Sequence, residues 1–203
     1  NYIRLQRYDH RFRFNPDGVR KQQSTSLTHG VDVTHMLSNE LFYTVSLREN
    51  SYRYTDYTFE DLFDPRYLDY GEPRRDPNYD NGAFVQGVDL SRFKQETTSW
   101  ILKGALTFQA TRNHMLKVGG EAQLSKITFG PPGSLVPSTV AGRQALVPVV
   151  DSKDFPGLRT FRPVAAAAYI QDRIEFVDFL IRAGMRAEFF DARAHLPSDL
   201  QNP

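Results

Sequence analysis

The chain has 203 residues, 25 of them basic and 24 acidic, for a formal net charge of +1, so total charge gives no reason to expect nucleic acid as a partner. It contains no cysteine, which excludes disulfides, thiolate metal sites and cysteine nucleophiles. No apolar run approaches the ~18 residues of a membrane helix and the opening NYIRLQRYDHRF is too charged for a signal peptide, whereas a membrane β-barrel stays open because its strands alternate.

In chain order, Asn1 to Phe14 alternates weakly and reads as a strand, and Asn15-Pro16-Asp17-Gly18 reads as a turn, with Pro fixing one dihedral and Gly supplying positive φ. Leu27, His29, Val31, Val33 and His35 then alternate with polar residues. After the turn Leu37 to Glu40, the alternation resumes through Leu41, Tyr43, Val45 and Leu47 toward Tyr52 and Tyr54. This is a β-hairpin of two long strands. Thr58 to Ser91 has no sustained period and is rich in Asp, Tyr, Pro, Gly and Asn, so it reads as a long loop whose removal should leave assembly intact.

A second hairpin follows. Trp100, Leu102, Gly104, Leu106, Phe108 and Ala110 alternate with Ile101, Lys103, Ala105, Thr107 and Gln109. Thr111 to His114 turns the chain, and Leu116, Val118, Gly120, Ala122 and Leu124 alternate with Lys117, Gly119, Glu121, Gln123 and Ser125. Phe129 to Thr160, with Pro131-Pro132-Gly133 and scattered Val and Pro, reads as a second long loop. The third hairpin sets Arg162 to Phe176 against Phe179 to Asp191 around Val177-Asp178. A helix competes here, because Ala165 to Ala168 are helix formers and Ile170, Ile174, Val177 and Ile181 recur at helical spacing. Beyond Ile181 the helix would bring Arg186 onto the apolar stripe of Phe179 and Ala183. A strand instead keeps Phe179, Ile181, Ala183, Met185, Ala187 and Phe189 opposite Arg182, Arg186 and Glu188, with Leu180 the one misfit.

Short turns thus alternate with long loops, as in transmembrane barrels with short periplasmic turns and long extracellular loops. The alternating runs also reach the ~9–11 residues that a tilted strand needs to cross a bilayer. The 10 Tyr and 15 Phe, many near the ends of alternating runs, suit rings that seek a membrane interface. The expected fold is all-β: an antiparallel meander of long hairpins forming part of a large transmembrane barrel.

Three stretches carry a resemblance to a known family. Ala167 to Asp191, AAYIQDRIEF and then AGMRAEFFD, is similar to a Y-x-Q-D strand followed by a G-x-R-x-D/E strand. His114 to Glu121, HMLKVGGE, is similar to an H-x-L-K-x-G strand start, and Thr34 to Ser38 ahead of Phe42-Tyr43 is similar to an hxLs-x-x-x-fY turn. The ending Phe190-Asp191, with Pro197 and Asn202-Pro203 beyond it, also fits. Together these resemble the barrel of TonB-dependent outer-membrane receptors. The resemblance implies a barrel of the 22-stranded type around an N-terminal plug, in the outer membrane of a Gram-negative bacterium. It also implies energised uptake through a TonB-type energy-coupling protein that grips a short box ahead of the plug. With six clear strands and a weaker seventh, residues 1–203 are expected to be an internal barrel segment, with plug, box and remaining strands outside it.

On this footing Leu27, Val31, Leu41, Val45, Leu102, Leu106, Phe179, Ile181 and Met185 are candidates to face lipid. Lys103, Lys117, Glu121, Arg182, Arg186 and Glu188 are candidates to line a polar lumen, either touching substrate or plug or pairing with one another. Tyr57, Tyr67, Tyr70 and Tyr79 are candidate ligand contacts in an extracellular loop, against the plainer role of packing loops together. His29 and His35 lack a third metal ligand, and Asp61, Asp64, Asp69, Asp76 and Asp80 lack the order of a calcium loop, so no metal and no cofactor is expected. Enzyme function has little support, since no catalytic constellation or nucleotide fingerprint is present. The leading expectation is a receptor importing a nutrient of unspecified class, be it small molecule, glycan or peptide. A non-transporting outer-membrane barrel acting as a scaffold or surface subunit of an assembly is the alternative, and a soluble all-β binding domain a third.

Overall fold

The computed structural model describes residues 2–6, 9–78, 82–140 and 142–194. These residues form twelve strands: β1 Tyr2–Gln6, β2 Lys21–Met36, β3 Leu41–Tyr57, β4 Arg74–Arg75, β5 Phe84–Gln86, β6 Phe93–Gln109, β7 His114–Gly130, β8 Ser134–Val140, β9 Arg143–Val149, β10 Arg159–Phe161, β11 Val164–Glu175 and β12 Leu180–Asp191. One short helix, α1, spans Pro65–Tyr70. The main sheet runs β1-β2-β3-β6-β7-β11-β12, with β10 also paired to β7, while β4-β5 and β8-β9 form separate two-stranded sheets. The protein is therefore all-β, dominated by one antiparallel sheet of long strands; the described residues do not close it into a barrel. No helix among the described residues is long and apolar enough to cross a membrane, which bears on helices alone.

The chain divides into two compact units. The first comprises Asn1–Ser26, Tyr52–Glu96 and Thr128–Thr160, and it holds the buried apolar core: Phe59, Leu62, Tyr67, Val88 and Leu135, with Leu90 packed against them. This corrects the reading of Thr58–Ser91 as a loop without a core. The chain there builds elements too short to show a period. Asp64 caps α1 by accepting from Arg66 N at 3.0 Å, and Pro65 supplies its first residue. Gly87, at φ +88, approaches the Glu72 carbonyl so closely that a Cβ would lie 2.0 Å from its oxygen, which only glycine allows.

Phe129–Thr160 is likewise more than a loop. β8 and β9 pair from Ser134↔Val149 to Val140↔Arg143, although Pro137 and Pro148 break both runs. Prolines argue against a central strand, but a two-stranded ribbon has a free edge on each strand where the missing N–H costs nothing. The expected strand over Asn1–Phe14 is also shorter. β1 pairs with β2 from Tyr2↔Thr25 to Gln6↔Lys21. Asp9 then accepts from Arg11 N at 2.9 Å and starts a 3-10 turn at His10–Phe12, which buries Phe12 with its ring 4.9 Å from Phe84.

Three carboxylates of the first unit are held below their ordinary range. Asp9 is brought to about 2, mainly by its side-chain hydrogen bond from Arg11 and then by the Arg11 backbone N–H. Asp64 is lowered chiefly by the Arg66 side chain, and Asp151 by the Gly157 N–H and then Arg159. A carboxylate whose folded pKa is depressed stabilises the fold above its unfolded value of about 3.9 and loses that contribution as pH falls through the folded one. Protease susceptibility of the first unit is therefore expected to rise between about pH 4 and about pH 2 and to be flat from about pH 5 to 7. Limited digestion with an acid-active protease, with peptides mapped to Tyr52–Glu96, checks this.

The second unit comprises Leu27–Ser51, Thr97–Ile127 and Phe161–Pro203. The three expected hairpins are its frame. Leu37 N donates to the Leu41 carbonyl at 2.8 Å across the first turn, Ala110 N to that of His114 at 2.9 Å across the second, and Phe176 N to that of Phe179 at 2.9 Å across the third. β11 pairs with β7 from Val164↔Leu124 to Ile174↔His114 and with β12 from Val164↔Asp191 to Glu175↔Leu180. His114, expected in a turn, opens β7 instead.

Candidate functional site: a strand wall with two unlike faces

Residues directly opposite one another in a ladder share a face of the sheet. Thus Glu121, Ala167 and Glu188 share one face, as do Gly119, Tyr169 and Arg186, while Val118, Ile170 and Met185 share the other. Side-chain contacts carry this parity to the other strands. Lys103 meets Glu121 and Ser99 meets Ser125 across β6 and β7, Tyr54 meets Phe93 at 6.1 Å across β3 and β6, and His35 meets Tyr43 edge-on at 5.4 Å across β2 and β3. One face therefore carries Val31, Val33, Val45, Leu102, Leu106, Val118, Ile181 and Met185, and all of these are exposed. Met185 is 77% exposed and Val31 64%. Leu27 is exposed as well, while Leu41 is partly covered. Phe179 lies in the turn before β12, its ring stacked on Phe176 at 4.5 Å, because Asp178 and Val177 take the chain round a residue later than the period suggests.

Cross-strand polar pairs interrupt the apolar face. His29 Nε2 lies 3.0 Å from Glu49, and His114 Nδ1 lies 2.8 Å from Asp172. Both have the alternation parity of the apolar residues, and each pairs laterally with a cross-strand neighbour, although Asp172 Oδ1 is buried without a partner among the described residues. Among the described residues, no group of three His, Asp or Glu is placed to hold a metal ion.

The opposite face is polar. Glu121 accepts from Lys103 Nζ at 3.2 Å and Arg186 Nη2 at 2.6 Å, and Arg186 Nε reaches Glu188 at 2.6 Å. Four of the six residues expected to line a lumen thus form one neutral chain of two cations and two carboxylates. Solvent screens such exposed pairs, so they fix side-chain positions more than they stabilise the fold. Lys117 lies opposite Gln171, and Arg182 opposite Arg173, which turns to Glu175. Neither Lys117 nor Arg182 has an ion-pair partner among the described residues.

Beside this chain the face forms a cleft of about 520 Å³. Tyr169 lies over Gly119, whose added Cβ would stand 2.6 Å from the Tyr169 hydroxyl oxygen, so the glycine is what lets the ring lie flat on the sheet. Asp32, Arg48, Lys117 and the hydroxyls of Thr34, Thr44 and Ser46 complete the lining. Sequence inspection singled out Lys117 alone of these. The usable signal was the polar parity of Thr44, Ser46 and Arg48, which face the same way as Lys103.

Of the expected ligand tyrosines, Tyr67 is fully buried. Its hydroxyl donates to the Phe59 carbonyl and accepts from Phe59 N, both at 3.0 Å, and accepts from Arg92 Nη1 at 2.7 Å. Its side chain packs the core of the first unit. Tyr57 ends β3 with the Arg92 guanidinium 5.1 Å from its ring centroid, Tyr70 is 51% exposed, and Tyr79 lies outside the described residues. Asp61 and Asp76 turn their carboxylates to the backbone N–H groups of Phe63 and Asn78. No family model, curated protein or solved structure matches the chain.

Proposed function

We propose that the chain is part of the wall of a transmembrane β-barrel in a Gram-negative outer membrane, of the TonB-dependent receptor kind, and that the whole protein imports a nutrient with energy from a TonB-type partner. The observation that carries this is the common parity of the long strands. Every one that crosses the second unit turns an apolar row to one face, where the row lies exposed, and a polar row to the other. An apolar surface of this breadth in water would drive aggregation, whereas hydrocarbon is its natural solvent. The edge strand supports the same reading. All 12 residues of β12 are exposed, and among the described residues it pairs on one side only. A long, flat, apolar edge is an aggregation template unless further strands continue the sheet, as closure of a barrel would do.

Envelope fractionation of a producing cell tests this. The full protein should sediment with the outer membrane and resist extraction by high salt and carbonate. Epitopes inserted near Asp76 and Asp154 should be reached by antibody in intact cells. Recovery in the soluble fraction would overturn the proposal, and recovery in the membrane with neither epitope reachable would overturn the outward orientation of these loops.

A further inference from the structure

We propose that the cleft on the polar face of the second unit binds a small hydroxylated carboxylate of the sugar-acid class. Its volume of about 520 Å³ falls among those of small-molecule sites. The charge pattern selects the ligand. Lys103 and Glu121 also line the cleft but are occupied with each other and, for Glu121, with Arg186. That leaves Arg48 and Lys117 as cations with no side-chain partner among the described residues, against the single carboxylate of Asp32.

A guanidinium offers a planar fork that matches a carboxylate, and an ammonium adds a point charge beside it. Asp32 excludes a bare anion as the best occupant, because it would repel one, yet it accepts well from hydroxyl groups. The hydroxyls of Thr34, Ser46 and Tyr169, also without partners among the described residues, both donate and accept. A neutral sugar would leave Arg48 and Lys117 unanswered, and an inorganic anion would leave Asp32 unanswered. A hydroxy acid answers both. The polar and charged groups that line the cleft all have the parity of the polar face, so the inference goes beyond the membrane wall and does not depend on what covers the opposite face.

Isothermal titration calorimetry of the full chain in detergent, with sodium glucuronate, glucose and sodium phosphate as probes, tests it. Glucuronate should bind saturably, with glucose and phosphate each weaker by roughly tenfold or more, as expected when a charge-assisted pair or a hydroxyl partner is lost. The double variant R48Q/K117Q should lose roughly tenfold or more of the glucuronate affinity, with its circular dichroism unchanged. If the double variant does not fold, Lys117→Gln alone, at an exposed position, should weaken glucuronate in the same direction. Absence of saturable glucuronate binding, phosphate binding as tightly as glucuronate, or unaltered affinity in a folded variant would each overturn the proposal.

Discussion

Tyr67→Ala is expected to unfold the first unit while leaving the second hairpin-rich unit with its strand content. Tyr67 is, among the described residues, the one large side chain that is entirely shielded, and its ring sits edge-on to Phe59 at 4.9 Å. Truncating a large buried aromatic costs about 3–5 kcal/mol, and here the loss is compounded. Arg92, itself 7% exposed, donates to Tyr67 and to the Phe59 and Glu60 carbonyls at 2.7, 2.7 and 2.6 Å, so the substitution strips a buried cation of one acceptor. Tyr67→Phe keeps the ring and removes only the hydroxyl, and should cost about 1–3 kcal/mol, the penalty for donors left unsatisfied. Urea unfolding followed by protease mapping of Tyr52–Glu96 checks the order alanine, phenylalanine, parent. An alanine variant as resistant as the parent would show that this core is dispensable. For the same reason deletion of Thr58–Ser91 is no longer expected to be neutral, since it would remove four of the five core residues Phe59, Leu62, Tyr67, Val88 and Leu135.

The second large effect is expected at the apolar face. Leu106→Arg and Ile181→Arg each place a guanidinium on the apolar face, where the side chain is 43% exposed. A cation at the midplane of a bilayer costs a barrel about 2–4 kcal/mol, falling to about 0–1 near the interfaces. Both variants should therefore assemble poorly into lipid vesicles, while Arg182→Leu and Lys117→Leu, on the polar face, should assemble near the parent yield. Vesicle flotation after refolding measures this. Equal flotation of all four would contradict the assignment of faces.

The long strands and the two faces were legible because a period of two is a local signal. Leu102, Leu106, Ile181 and Met185 announce their common side without knowledge of neighbours. The pairing of Arg186 with Glu121 was not legible, because it depends on β11 joining β7 to β12, and the partners stand 65 residues apart in the chain. The first unit was hidden for another reason. Its elements are two to seven residues long apart from the ends of the long strands, so no period develops, and Pro137 and Pro148 mimic loop composition within a real ribbon. Tyr67 shows the limit well. Its setting among Asp, Pro and Arg resembles a solvated loop, and only the fold reveals that Phe59 and Arg92 enclose it.

Because the chain has no native cysteine, single cysteines can be placed in turn at positions 181 to 188, labelled with an environment-sensitive fluorophore, and challenged with bromine-bearing lipids after reconstitution of the full chain into vesicles. If the exposed apolar row faces hydrocarbon, quenching should alternate, strong at Ile181, Ala183, Met185 and Ala187 and weak at Arg182, Gly184, Arg186 and Glu188. Uniform quenching, or none at any position, would contradict a membrane wall.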